Sequence, residues 1–151
     1  MIRRWLVLVG LVMIAGCTLQ TGENADPETI TRDDVAGMLA EVRADQAAAL
    51  TFWDRIIFGE TVGCQEYFIV PTLYELSSED RAAHPEAEAI VDQINLAAQS
   101  LQLSAAYWDS ECADGRSTVP LEVAREGRTY GLAAGVALDE AARLLAEWPQ
   151  E

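Results

Sequence analysis

Three long stretches of this chain carry apolar side chains at alternating steps of three and four residues. That spacing commits each stretch to a helix with one buried face. In the first, Val35, Met38, Leu39, Val42, Ala49, Trp53, Ile56 and Ile57 form a seam that only Gln46 interrupts and that ends at Phe58-Gly59. Thr31 stands where an N-cap belongs, with Asp34 three residues on as its reciprocal partner and Asp33 in the first turn, where the helix dipole favours an acid. A second long helix opens at Pro85, since proline is tolerated in a first turn. Its seam runs through Ala87, Ile90, Ile94, Ala98, Leu101, Ala105, Trp108 and Cys112. A third extends from about Pro120 to Trp148 through Val123, Gly127, Tyr130, Ala134, Ala137, Ala141 and Leu144. A hairpin turning at Glu126-Gly127 competes for its first half, and the unbroken seam through Trp148 favours the helix. Each helix would hold about 27–29 residues and span about 40 Å at 1.5 Å per residue.

Helices matched in length suit an antiparallel up-and-down bundle. Gly63–Leu76 would supply a shorter, rougher second helix, broken at Pro71 because proline removes a backbone donor and crowds the preceding turn. Ser77–His84 reads as the connection onward. The expectation is therefore an all-α, antiparallel four-helix bundle over residues 30–151. In that topology the start of the second helix meets the end of the third. Cys64 and Cys112 would come together there as a disulfide closing a loop of about 49 residues, worth roughly 4 kcal/mol in the chain-entropy model.

The chain's first 18 residues belong to a different physical regime. Arg3 and Arg4 precede the uncharged run Trp5–Gly16, which ends in Ile14-Ala15-Gly16-Cys17. A basic start, a short apolar core and small residues before a cut describe an export signal. The run is too short for a membrane span, which takes about 20 apolar residues. Ile14-Ala15-Gly16-Cys17 resembles the lipobox of bacterial lipoproteins. That resemblance implies removal of residues 1–16 and a diacylglyceryl thioether on Cys17, with the mature protein held at the cell membrane or outer membrane, facing the periplasm or the exterior. Thr18 after the cysteine resembles lipoproteins sorted outward. Residues 17–29 then form the lipidated N-terminus and a polar tether, and an even cysteine pair in an exported chain favours a disulfide over a metal site.

Charge narrows the partners. Ten basic residues, all arginine, face 25 acidic ones for a net −15, and loss of Arg3 and Arg4 with the signal makes the balance two units more negative. Such a surface repels phosphate backbones and anionic head groups, so nucleic acid is excluded as a partner. No constellation points to catalysis. His84 is the sole histidine and precedes Pro85, where helix-start geometry explains it. Paired Glu-x-x-His motifs and Cys-x-x-Cys are absent, and Asp109, Glu111 and Asp114 miss the register of a calcium loop. No cofactor and no metal are expected.

Two features remain for function. Trp53, Phe58, Tyr67, Phe68 and Trp108 would gather at the disulfide end as a contact surface or pocket. Gly127, Gly131 and Gly135, four apart on the last helix, would make a close-packing face or leave room for a ligand. The leading expectation is a membrane-anchored interaction or scaffolding module of the cell envelope, bound to an envelope protein partner. An apolar-ligand carrier using a gap beside the glycines is the alternative, and an envelope hydrolase using carboxylates is a more distant one.

Overall fold

The computed structural model describes residues 29–113 and 119–149. The signal, Cys17, most of the tether and Asp114 lie outside them. The chain is an all-helical bundle of four helices closed by a Cys64–Cys112 disulfide. The helices are α1 (Arg32–Ile57), α2 (Ser78–Ala83), α3 (Pro85–Ala113) and α4 (Leu121–Glu147). Thr31 caps α1 as its sequence suggests: its hydroxyl accepts from the Asp34 N–H, and the Asp34 carboxylate accepts from the Thr31 N–H. Pro85 occupies the first position of α3, where its missing N–H removes no helical bond. No hairpin forms at Glu126-Gly127, which lies within α4.

Two contacts fix how the elements run. The Ile30 N–H donates to Asp80 in α2 at 2.8 Å, and the His84 and Trp148 rings meet at a tilt with centroids 5.5 Å apart. The N-terminal ends of α1 and α3 and the C-terminal end of α4 therefore share one end of the bundle. The disulfide and the start of α4 lie at the other. α1 and α3 run parallel, with α4 antiparallel to both.

The short second helix is not where its sequence suggested. Residues 59–76 contain no helix; they form an extended strap laid over α1 and α3. Tyr67-Phe68-Ile69-Val70-Pro71 explains the difference. Aromatic and β-branched residues favour an extended chain, and a residue before proline is pushed out of the helical region. An extended strap must still satisfy its backbone polar groups, and side chains of α3 do so in order along the helix. The Trp108 indole N–H donates to the Glu66 carbonyl at 3.0 Å, and the Gln102 amide donates to the Pro71 carbonyl at 3.0 Å. Asn95 grips Tyr74 twice, accepting from its N–H at 2.8 Å and donating to its carbonyl at 2.9 Å. Val62, Phe68 and Leu76 point into the core. α2 falls instead within the expected connection, nucleated by a second reciprocal cap between Ser77 and Asp80.

The α1–α4 seam is built on missing side chains. A methyl group at Gly127 would overlap the Trp53 ring, one at Gly131 would lie 2.9 Å from the Leu50 Cδ2, and one at Gly135 would lie 2.6 Å from the Gln46 Nε2. Gln46, the polar break in the first seam, is thus a neighbour of Gly135, and its amide donates to the Gly131 carbonyl at 3.2 Å. Farther along, the Arg43 guanidinium reaches the Leu138 carbonyl and Asp139.

The glycines divide by what they face. Gly127→Ala should destabilise the protein by about 1–3 kcal/mol through overpacking on an immobile indole. Gly37→Ala, in open space within α1, should stabilise it by about 0.5–1 kcal/mol through helix propensity. Urea unfolding of both variants checks the contrast in sign.

The two caps also carry a pH signature. Hydrogen bonds from Thr31 hold the Asp34 carboxyl below the ordinary aspartate value of 3.8, and bonds from Ser77 and then Ile30 do the same for Asp80. A carboxyl depressed on folding contributes stability that is fully present above its unfolded value and is lost as pH falls through its lower folded value. The urea midpoint should therefore fall below about pH 4, and it should fall less steeply in Asp34→Asn/Asp80→Asn.

Candidate interaction surface

The five aromatic residues expected at the disulfide end do lie toward it, but they divide into interior and exterior. Trp53, Phe68 and Trp108 are buried. With Phe52 they make an edge-to-face cluster, Phe52 lying 5.4 Å from Trp53, 5.2 Å from Phe68 and 4.9 Å from Trp108 by ring centroid. Those three pack as an aromatic core, the arrangement aromatic quadrupoles favour, and Phe68 and Trp108 also line the surface grooves beside Tyr67. Phe58 and Tyr67 instead stand 85% and 81% exposed.

Sequence reasoning missed their neighbours. Ile69 is 70% exposed, and Leu73 joins it on the outer side of the strap. The signal was present as a period of two, in which exposed Tyr67 and Ile69 alternate with buried Phe68 and half-buried Val70. That is the alternation of a half-buried extended segment, hidden by reading the stretch as a helix.

Tyr67 stands between two surface grooves. One, of about 480 Å³, runs between α1 and the strap over Ala47, Ala48 and Thr51, with Ile69 on its far wall. The other, of about 280 Å³, runs between the strap and α3 along Val70, Ala105 and Trp108, and has Glu66 and Asp109 at its border. Arg55 beside the first groove is already engaged by Glu60 and, at 2.9 Å, by Glu66. Those hydrogen bonds raise its pKa, so the guanidinium stays charged, and the Arg55 bond lowers that of Glu60. Asp109 is exposed, and its carboxylate has no hydrogen bond or ion pair to another described side chain. Farther down the strap the Tyr74 hydroxyl donates to Glu41 at 2.9 Å. Burial first, then Glu41, pushes the Tyr74 phenol up to about 12, and the group stays protonated.

The disulfide holds the strap at its start. Its Cα atoms are 5.5 Å apart, and Cys64 is exposed while Cys112 is half-buried. His84 lies at the opposite end, closing α2 and preceding Pro85, with its Nδ1 3.8 Å from Glu86. An open cavity of about 480 Å³ is lined there by Ile30, Arg32, His84, Trp148 and Pro149. The Arg32 Nε is buried without a hydrogen-bond partner among the described residues.

Serine hydroxyls near these surfaces are committed elsewhere. Ser104 is fully buried between Trp53 and the Gly127 carbonyl, and Ser100 and Ser110 return to carbonyls of their own helix. Among the described residues no group of three or more His, Cys, Asp or Glu is arranged to hold a metal, and no helix is long and apolar enough to cross a membrane. Comparison with known families, characterised proteins and solved structures returned no match.

Replacing the bridge should loosen one part of the strap. Cys64→Ser/Cys112→Ser should lower stability by about 2–4 kcal/mol. Amide exchange should accelerate over residues 62–70 while the Tyr74 amide, held by Asn95, keeps its protection. Hydrogen-exchange mass spectrometry checks the difference.

Proposed function

We propose that this chain is an exported, lipid-anchored interaction module of the cell envelope, and that the outer side of the strap receives a protein partner. The observation that carries the reading is the pair of large apolar side chains, Tyr67 and Ile69, presented at 70% exposure or more on the strap, with Phe58 exposed at the end of α1. Aromatic and aliphatic side chains held on a rigid frame are the usual anchors of protein recognition. The strap is such a frame, tied to α3 by a disulfide and four hydrogen bonds.

The chain enters the bundle at Ile30, held by Asp80, and α1 then runs about 39 Å to the disulfide end. A lipid on Cys17 would precede the entry end, the end of α1 opposite the strap's aromatic residues. Support for a surface role over an interior-ligand role comes from the glycines. The space beside Gly127, Gly131 and Gly135 is taken by Trp53, Leu50 and Gln46.

Cell fractionation with mass spectrometry tests the anchor: the wild-type N-terminal peptide should begin at an acylated Cys17, and Cys17→Ser should release the protein from membranes. Affinity capture tests the surface. Tyr67→Ser/Ile69→Ser should remove the captured partner with the thermal midpoint unchanged. An identical set of partners from this variant would reject the strap as the recognition surface.

A further inference from the structure

We infer that the segment docking on the strap is a basic polypeptide with interspersed apolar residues, its cation directed at Asp109 beside Tyr67. The inference deepens the interaction reading and rests on it. Three observations select this occupant. The groove between the strap and α3 has apolar walls in Val70, Ala105 and Trp108, so it accepts an aliphatic or aromatic side chain. Its charged border is acidic, formed by Glu66 and Asp109. Glu66 is already matched by Arg55, whereas the exposed Asp109 carboxylate has no hydrogen bond or ion pair to another described side chain. The exposed Tyr67 ring between the grooves offers its face to an ammonium or guanidinium group, which aromatic quadrupoles attract.

Charge also disfavours the other occupants. A second copy would set Asp109 and Glu66 against their own likeness on a chain of net charge −15, and like-charge juxtaposition weakens an interface. An anionic membrane surface or a nucleic acid meets the same repulsion. Arg55, which lines the first groove, is consumed by Glu60 and Glu66 and offers no counter-charge to an acidic partner.

The test uses the purified, disulfide-intact protein and two labelled decapeptides, one alternating Lys with Leu and one alternating Glu with Leu. Fluorescence anisotropy at physiological salt should show the Lys-Leu peptide binding at least tenfold tighter. Tyr67→Ala should weaken it about tenfold and Asp109→Asn about threefold. Asp33→Asn, which removes the same charge at the far end of α1, should leave it unchanged. Equal affinity for the two peptides, or equal loss from Asp109→Asn and Asp33→Asn, would overturn the proposal, because attraction would then be unselective or spread over the whole surface. A photo-crosslinking residue at position 67 in cells separates the two levels. An acidic partner or a second copy joined there sinks the basic-segment inference and keeps the interaction surface. No crosslinked protein, with neither peptide bound, removes both.

Discussion

Where the three long helices meet, the Trp53 indole fills the space a Cβ at Gly127 would need, and its N–H donates to the Ser104 hydroxyl at 2.8 Å. Ser104 passes a hydrogen bond on to the Gly127 carbonyl at 2.9 Å. One side chain from α1, one from α3 and one backbone carbonyl from α4 thus form a relay with no access to water. Each partner makes the others affordable: the indole can be buried because its donor is satisfied, and the serine because both its roles are used. The relay also sets register. Sliding α4 by one turn one way would bring Val123 against the indole, and the other way would bring Gly131 there but set Asp139 where Gly135 now meets Gln46.

From that point the packing of the molecule follows in two directions. Toward the entry end, Leu50 and Gln46 continue the α1–α4 contact over Gly131 and Gly135. Toward the disulfide end, Trp53 joins Phe52, Phe68 and Trp108 edge to face. Phe68 is a strap residue, so the aromatic core and the outer surface are two sides of one extended segment. The bundle's fourth side is filled without a long fourth helix because α3 lends Trp108, Gln102 and Asn95 as hydrogen-bonding rungs.

The sequence made the helices legible because they obey a local rule. The seams, the Thr31 cap, the placement of Pro85 and the meeting of Cys64 with Cys112 all follow from spacing and topology. The strap was misread because its pattern is carried by few residues, and because its backbone partners come from α3 side chains many residues away. No local rule announces that Asn95 will bond Tyr74. The aromatic group was legible as a group but not as an inside and an outside. Trp53 and Trp108 sit on helical seams that predict burial, whereas the facing of Tyr67 and Phe68 depends on whether the period is two or near four. Asp109 draws notice in the sequence only as part of a failed calcium loop.

Asp80 holds two things at once. One carboxylate oxygen closes the cap of α2 with Ser77, and the other receives the Ile30 N–H just before α1 begins. A pull on the N-terminal segment therefore loads a carboxylate on a six-residue helix before it reaches the first turn of α1. Tension on the chain ahead of Ile30 would meet that hydrogen bond first, at the end of the bundle opposite the disulfide.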